Sequence, residues 1–187
     1  DEELDAYVNG EKAYISAQDG NRTTLTVGYS VPVASGVHGQ VVSFCDGSDV
    51  TVSLFADGSA ESKYTVSVPG GTKDSSGQYT TTYDIPEVAP GTYTMQVSKK
   101  NHVTREYTVT VSGDAVTQDV KIHLMGDING DGRISIGDIN KANLHAKGKK
   151  ILLGYELACA DINGDGRVTT SDVNKMNLHN KGKSLLW

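Results

Sequence analysis

The stretch Asp127-Ile-Asn-Gly-Asp-Gly-Arg133 decides the fold of the C-terminal third, because it recurs 34 residues later as Asp161-Ile-Asn-Gly-Asp-Gly-Arg167. The match continues at the same offset, from Asp138 against Asp172 to Lys149 against Lys183. A fixed-offset repeat indicates two copies of one structural unit.

Each copy has the spacing of a twelve-residue calcium-binding loop, with oxygen ligands at positions 1, 3, 5, 7, 9 and 12. Gly132 and Gly166 stand at position 6, where the chain turns sharply around the ion. The ligands predicted for the first loop are Asp127, Asn129, Asp131, the carbonyl of Arg133, Ser135 (directly or through water) and Asp138. Those predicted for the second are Asp161, Asn163, Asp165, the carbonyl of Arg167, Thr169 and Asp172.

Three carboxylates crowd each loop and repel one another unless a cation lies between them. Calcium fits best, since magnesium requires tighter octahedral geometry and zinc recruits the His or Cys that the loops lack. A polar turn without an ion would explain the Asp and Gly residues but not six spaced ligands occurring twice. The sequence therefore predicts two Ca²⁺ ions, whose binding contributes to folding.

A helix is predicted after each loop but not before the first. Ser135 to Asp138 and Thr169 to Asp172 have the spacing of capping boxes, and Gly148 and Gly182 are stop signals. Upstream, residues 117–124 alternate as a strand, while residues 151–160 can form a short connecting helix. An ordinary EF-hand has two flanking helices and a glutamate at position 12, so this pattern differs from it.

Tandem loop-helix calcium repeats without entering helices resemble the dockerin family, over about residues 125–187. The resemblance implies calcium-dependent binding of a cohesin domain on a scaffold or cell-surface protein, in a secreted cellulosome-type complex that degrades polysaccharides. It implies no catalysis. No membrane is expected, because no apolar run approaches the roughly 20 residues that a span requires.

Two leucines stand apart from the predicted core faces of the helices. Ile139, Ala142 and Ala146 share one face of the first helix, as Val173 and Met176 do in the second. Leu144 and Leu178 fall far from these faces, which indicates a partner surface, with packing on the connecting helix as the alternative.

The resemblance places partner-binding residues at helix positions and at loop positions 10 and 11. Because the helices match while the loop positions differ between repeats, binding through one or both repeats stays open. The implied set is Ile136, Gly137, Asn140, Lys141, Leu144, His145, Lys147, Thr170, Ser171, Asn174, Lys175, Leu178, His179 and Lys181.

The first 124 residues predict an all-β, immunoglobulin-like sandwich, because short β-branched and aromatic segments alternate with Gly, Asp, Asn and Pro. The whole chain is thus predicted to be multi-domain, with this sandwich followed by a small all-α dockerin. The predicted strands are residues 13–17, 25–31, 40–44, 50–55, 63–68, 79–85, 92–98, 106–111 and 119–124.

Residues 38–123 resemble the carboxypeptidase-regulatory-like family of small sandwiches, chiefly through residues 90–94 and 97–102. Placed ahead of a dockerin, such a sandwich also resembles an X-module. The predicted domains are therefore 38–124 and 125–187, with residues 1–37 either added strands or the tail of a preceding module.

Composition excludes some function classes. Residues 1–124 carry 16 acidic and 8 basic side chains, and residues 125–187 carry 7 and 9, without a basic stripe for nucleic acid. His38, His102 and His123 are scattered without a nucleophile nearby, which favours surface or strand-end histidines over an enzyme. Cys45 and Cys159 are expected to be buried free thiols.

A carbohydrate-binding module with structural calcium is the alternative function. It would use exposed tyrosines as stacking platforms, although tyrosine at alternating strand positions also packs on a sandwich core. The tyrosines in question are Tyr14, Tyr29, Tyr64, Tyr79, Tyr83 and Tyr93.

The last three residues, Leu185-Leu186-Trp187, form an apolar segment. We expect it to pack near Leu124 and Met125, joining the two ends of the repeat, with a partner contact as the alternative.

Overall fold

A computed structural model describes residues 6–8, 11–13 and 35–187, and the chain divides into the compact units Asp1–Val33 and Ala34–Trp187. In the first unit, β1 (Ala6–Val8) pairs antiparallel with β2 (Glu11–Ala13). Ala13 belongs to β2, and the rest of the predicted strand 13–17 lies outside the described residues, as does the predicted strand 25–31.

The second unit begins with two packed sheets. The strands are β3 (Val37–Ser43), β4 (Val50–Ala56), β5 (Ser62–Val68), β6 (Thr72–Lys73), β7 (Tyr79–Ile85), β8 (Gly91–Lys99), β9 (Arg105–Val111), β10 (Val116–Thr117) and β11 (Val120–Lys121). In one sheet the order is β10-β3-β7-β6, with β11 also on β3, and in the other it is β5-β4-β8-β9. Both β10 and β11 run parallel to β3, and the other pairs are antiparallel.

Alternation along the strands creates the core of the sandwich. Tyr93, Met95 and Val97 of β8 are buried, while Thr92 and Thr94 on either side of Tyr93 are exposed. The predicted sandwich is confirmed, with β7 matching its predicted bounds. Only Val120–Lys121 of the predicted strand 119–124 pairs as a strand, and the two-residue strands β6 and β10 were not predicted.

Three helices follow: α1 (Ile136–Ala146), α2 (Gly154–Ala160) and α3 (Thr170–Asn180). Both capping boxes are confirmed: Ser135 Oγ accepts the Gly137 N–H at 3.1 Å, and Thr169 Oγ1 accepts the Ser171 N–H at 3.2 Å. The predicted all-α C-terminal domain is thereby confirmed. None of the helices within residues 35–187 is long and apolar enough to cross a membrane.

The helices enclose a second apolar core, which includes Ile139, Ala142, Val173 and Met176, as predicted. Cys159 is buried there as a free thiol. The expectation of a buried thiol is wrong for Cys45, which is exposed because it lies with a positive φ just after β3, outside any alternating strand.

The sandwich and the helical segment contact each other within the second unit. Tyr155 of α2 donates its hydroxyl hydrogen to the Val103 carbonyl at 2.7 Å and accepts the His123 N–H at 3.0 Å. The Met125 N–H also donates to the Asn101 carbonyl. The boundaries at 37/38 and 124/125 stay predictions, since residues 34–187 form one compact unit.

Candidate calcium loops and recognition helices

In the first loop, three predicted ligands converge. Carboxylate oxygens of Asp127, Asp131 and Asp138 lie within 4.8 Å of one another. Asp127 and Asp138 are fully buried. Two buried carboxylates this close are costly without a compensating charge, so the residues fit a hard divalent cation.

Asp127 shapes the loop from inside. Its two oxygens accept N–H groups from Gly130 at 2.8 Å, Asp131 at 3.2 Å and Gly132 at 2.8 Å. Burial raises the pKa of Asp127 to about 6, aided by the charge of Asp138 and opposed by these hydrogen bonds. A cation in the loop would hold this carboxyl in its ionised form.

Asp138 connects the beginning of the loop to the helix that follows it. Its Oδ1 accepts the N–H groups of Ile128 and Asn129, both at 3.0 Å, and its Oδ2 accepts from the N–H and Oγ of Ser135. The same carboxylate therefore closes the loop and caps α1.

The second loop repeats this hydrogen-bond pattern. Asp161 accepts N–H groups from Gly164 at 2.9 Å and Gly166 at 2.7 Å, and Asp172 accepts from Ile162 and Thr169. The two loops thus share these hydrogen bonds, although among the described residues only the carboxylates of the first loop lie within 4.8 Å of one another. Their ligand roles, including those of the remaining predicted ligands Asn129, Arg133, Asn163, Asp165 and Arg167, stay predictions.

The surroundings of the two loops differ. Gly130 is buried and Gly132 half-buried, whereas Gly164 and Gly166 are exposed. The rings of His123 and Phe44 lie against the first pair. Neither Phe44 nor His123 could be assigned to the loop from the sequence, because no local pattern connects them with it.

Leu144 and Leu178 are 37% and 41% exposed, which agrees with their predicted place away from the core. Around them, Asn140, Lys147, Asn174 and Lys181 are exposed, and Lys141 and Lys175 are half-buried. At loop positions 10 and 11, Ile136, Gly137, Thr170 and Ser171 are exposed. All these residues are accessible to a partner.

His145 and His179 are engaged within the chain. Nδ1 of His145 accepts the Leu152 N–H at 2.8 Å, and Nδ1 of His179 accepts the Leu186 N–H at 3.1 Å. The identical bonds show that the repeat continues through Leu152 and Leu186, which the offset of 34 residues could have indicated. A contact of either ring with a partner stays a prediction.

The described tyrosines give little support to stacking on sugars. Tyr83 and Tyr93 are buried in the sandwich, and Tyr64 and Tyr79 are half-buried. Tyr14 and Tyr29 lie outside the described residues. His102, expected at a surface or strand end, lies just after the end of β8 but is buried rather than at the surface, and it accepts the Phe44 N–H at 3.0 Å.

Residues 125–179 match the family model described as the dockerin type I domain, which confirms the resemblance for that segment. No curated protein matches the chain.

Two solved structures align with the chain: an N-terminal and a C-terminal interface mutant of a type II cohesin–X–dockerin complex from Acetivibrio cellulolyticus. Their sequence identities are 21% and 20%, and each alignment covers 78% of this chain and 94% of the other. The TM-score is 0.35 in both cases, too low to establish a shared overall arrangement.

Proposed function

We propose that residues 125–187 form a calcium-dependent, non-catalytic anchoring module that binds a cohesin domain of a scaffold or cell-surface protein. The parent polypeptide would thereby join an extracellular, cellulosome-type complex that degrades polysaccharides. The observation that carries the proposal is the pair of exposed leucines, Leu144 and Leu178, at equivalent places on two helices of a segment that matches the dockerin model.

The two helices offer a surface suited to a protein partner. Each presents an exposed leucine among amides and lysines, and α1 also exposes Ile136 at its first residue. This combines apolar anchors with a polar, positively charged rim. Lys141 is partly neutralised by Glu156 of α2, at 3.2 Å, whereas α3 carries Lys175 without a close carboxylate among the described residues. A complementary surface would be apolar at its centre and acidic around it.

Calcium would fix the positions of the two helices that form this surface. Asp138 and Asp172 would bind the ions and also cap α1 and α3, so the ions would fix where each helix begins. The ion would supply the positive charge that the buried carboxylates require, and the chain would supply the orientation of the two helices.

Capture of a partner tests the proposal. The whole chain, immobilised, should retain a cohesin-bearing protein from the host's culture supernatant in calcium and release it in chelator. Failure to capture any cohesin-bearing protein in calcium would contradict the proposal. Retention on plant polysaccharide in affinity electrophoresis would favour the carbohydrate-binding alternative instead.

Leucine variants test the surface itself. Leu144→Ala and Leu178→Ala together should weaken cohesin binding at least about tenfold, as for loss of a central apolar anchor. Leu153→Ala, at an exposed leucine between α1 and α2, is the matched control and should bind normally. If each single variant binds normally and only the double variant fails, either repeat can bind; loss in one single variant shows that one repeat dominates.

A further inference from the structure

The two calcium loops differ in what covers them, although the same hydrogen bonds to the first aspartate recur in both. A Cβ added at Gly130 would overlap the His123 ring, and one added at Gly132 would overlap the Phe44 ring. At Gly164 and Gly166 an added Cβ would have no atom within 4 Å. The sandwich therefore supports the first loop and leaves the second in solvent.

The two supporting rings are themselves held in place. The Phe44 N–H donates to His102 Nε2 at 3.0 Å, and the Lys121 ammonium lies 5.4 Å from the centre of the Phe44 ring. The His123 ring lies 5.0 Å from that of Tyr155, edge to face. Phe44 is buried and His123 half-buried, and packed rings with such partners have few alternative rotamers, so the two form a rigid wall.

The wall touches the part of the loop that arranges Asp127. Gly130 and Gly132 are the residues in contact with the rings, and their N–H groups each hold one oxygen of Asp127. A loop whose backbone is held before the ion arrives loses less conformational freedom on binding. Outer groups that orient ligands typically change metal affinity about tenfold or more.

We propose that Phe44 and His123 are positioning residues of the first calcium loop, which therefore binds its ion more tightly and releases it more slowly than the second. Linkage requires the converse: calcium in the first loop strengthens the contact between sandwich and helices. As the calcium concentration falls, the second loop loses its ion first. The start of α3, which carries Leu178, is then no longer fixed by a calcium-loaded loop, while the start of α1 still is. The proposal concerns the free chain and does not depend on the identity of the partner.

Calcium release from the free chain tests whether the first loop releases its ion more slowly than the second. On rapid mixing of the calcium-loaded chain with a fluorescent chelator, two phases should appear, with rates at least about tenfold apart. Asp165→Ala should leave only the slow phase, and Asp131→Ala only the fast one. A single phase, equal rates or the reverse assignment would overturn the proposal while leaving cohesin binding intact.

Phe44→Leu and Phe44→Ala test the positioning role. Each should accelerate the slow phase, Ala more than Leu, and leave the fast phase unchanged. Circular dichroism in saturating calcium checks that each variant is folded, and Phe44→Leu serves if Phe44→Ala is not. A slow phase unaffected by the substitution, or both phases accelerated alike, would overturn the role.

Two glycines provide a matched pair. Gly132 and Gly166 have φ of +85° and +83°, so alanine strains the backbone equally at both, but only at 132 does it also meet a ring. Gly132→Ala should therefore accelerate release from its own loop more than Gly166→Ala does. Adding Phe44→Ala to Gly132→Ala should remove this additional acceleration, because the ring that the alanine meets is gone. Strict additivity of the effects of the two substitutions would contradict a contact between residues 44 and 132.

Discussion

At the scale of the residue, His102 combines burial with a fixed protonation state. Its Nδ1 lies 2.7 Å from the Lys100 carbonyl and its Nε2 accepts the Phe44 N–H, which requires a neutral ring protonated on Nδ1. Burial lowers the pKa of His102 to about 4, and the nearby Lys99 charge acts in the same direction.

We expect His102 to make folding sensitive to acid. Its pKa is lower in the folded chain than in the unfolded one, so the unfolded state gains the proton first as pH falls below about 6.5. From pH 7 to pH 5 this should lower the free energy of unfolding by about 2 kcal/mol. Urea unfolding of wild type and His102→Gln, in saturating calcium, should show a shallower pH dependence in the variant; equal slopes would contradict the prediction.

Residue spacing predicted the loops but not their surroundings. Asp, Asn and Gly at fixed intervals reflect chemistry within a dozen residues, so both loops could be located from the sequence. Phe44 and His123 reach Gly132 and Gly130 only because the sandwich brings distant segments together. Nothing in their local sequence differs from that of ordinary core or strand-end residues.

At the scale of the element, a boundary could be predicted where a local sequence motif defines it. It could not be predicted where it depends on pairing with a distant strand. The capping boxes located the starts of α1 and α3. The strands β6 and β10 have two residues each, too few to show alternation, and depend on pairing with β7 and β3. Residues 117–124 alternate throughout, yet only three of them pair along β3: Thr117 in β10 and Val120 and Lys121 in β11.

The caps of α1 and α3 can be tested by using each repeat as the control for the other. In chelator, Ser135→Ala and Thr169→Ala should each lower the free energy of unfolding by about 1 kcal/mol, because an N–H group in the first turn of the helix loses its acceptor. Ser135→Thr and Thr169→Ser, which exchange the natural caps, should cost little. Chemical unfolding measures the costs, and a larger cost in calcium would indicate that the hydroxyl also ligates; alanine without effect would refute the capping role.

At the scale of the whole molecule, residues 34–187 form one compact unit, in which the sandwich, the loops and the helices contact one another. Tyr155 receives and donates hydrogen bonds across the junction, and the Arg105 guanidinium stacks 4.6 Å from its ring centre. A division at residue 124, drawn from a change of composition, predicts two folds correctly but gives no sign of this shared interface. The amino-acid composition of a segment reflects the side chains that form its own core. It does not indicate which side chains pack against the neighbouring segment.

The end of the second repeat closes the helical core. Leu186 and Trp187 are half-buried against it, with Leu186 beside Met125, as expected, and also beside Gly126. The Trp187 ring lies 4.7 Å from that of His179. Leu185 next to them is 69% exposed. The segment thus supplies two packed side chains and one free one.

Substitution of these side chains separates closure from partner contact. Leu186→Ala with Trp187→Ala should lower the free energy of unfolding by about 2 kcal/mol, because two half-buried apolar groups lose their contacts. Leu185→Ala, which removes an exposed side chain, should leave unfolding unchanged. Thermal unfolding in calcium, with and without bound cohesin, measures both effects. Unchanged stability with weaker cohesin binding in the double variant would show that the segment serves the partner, since closure requires the free chain itself to lose stability.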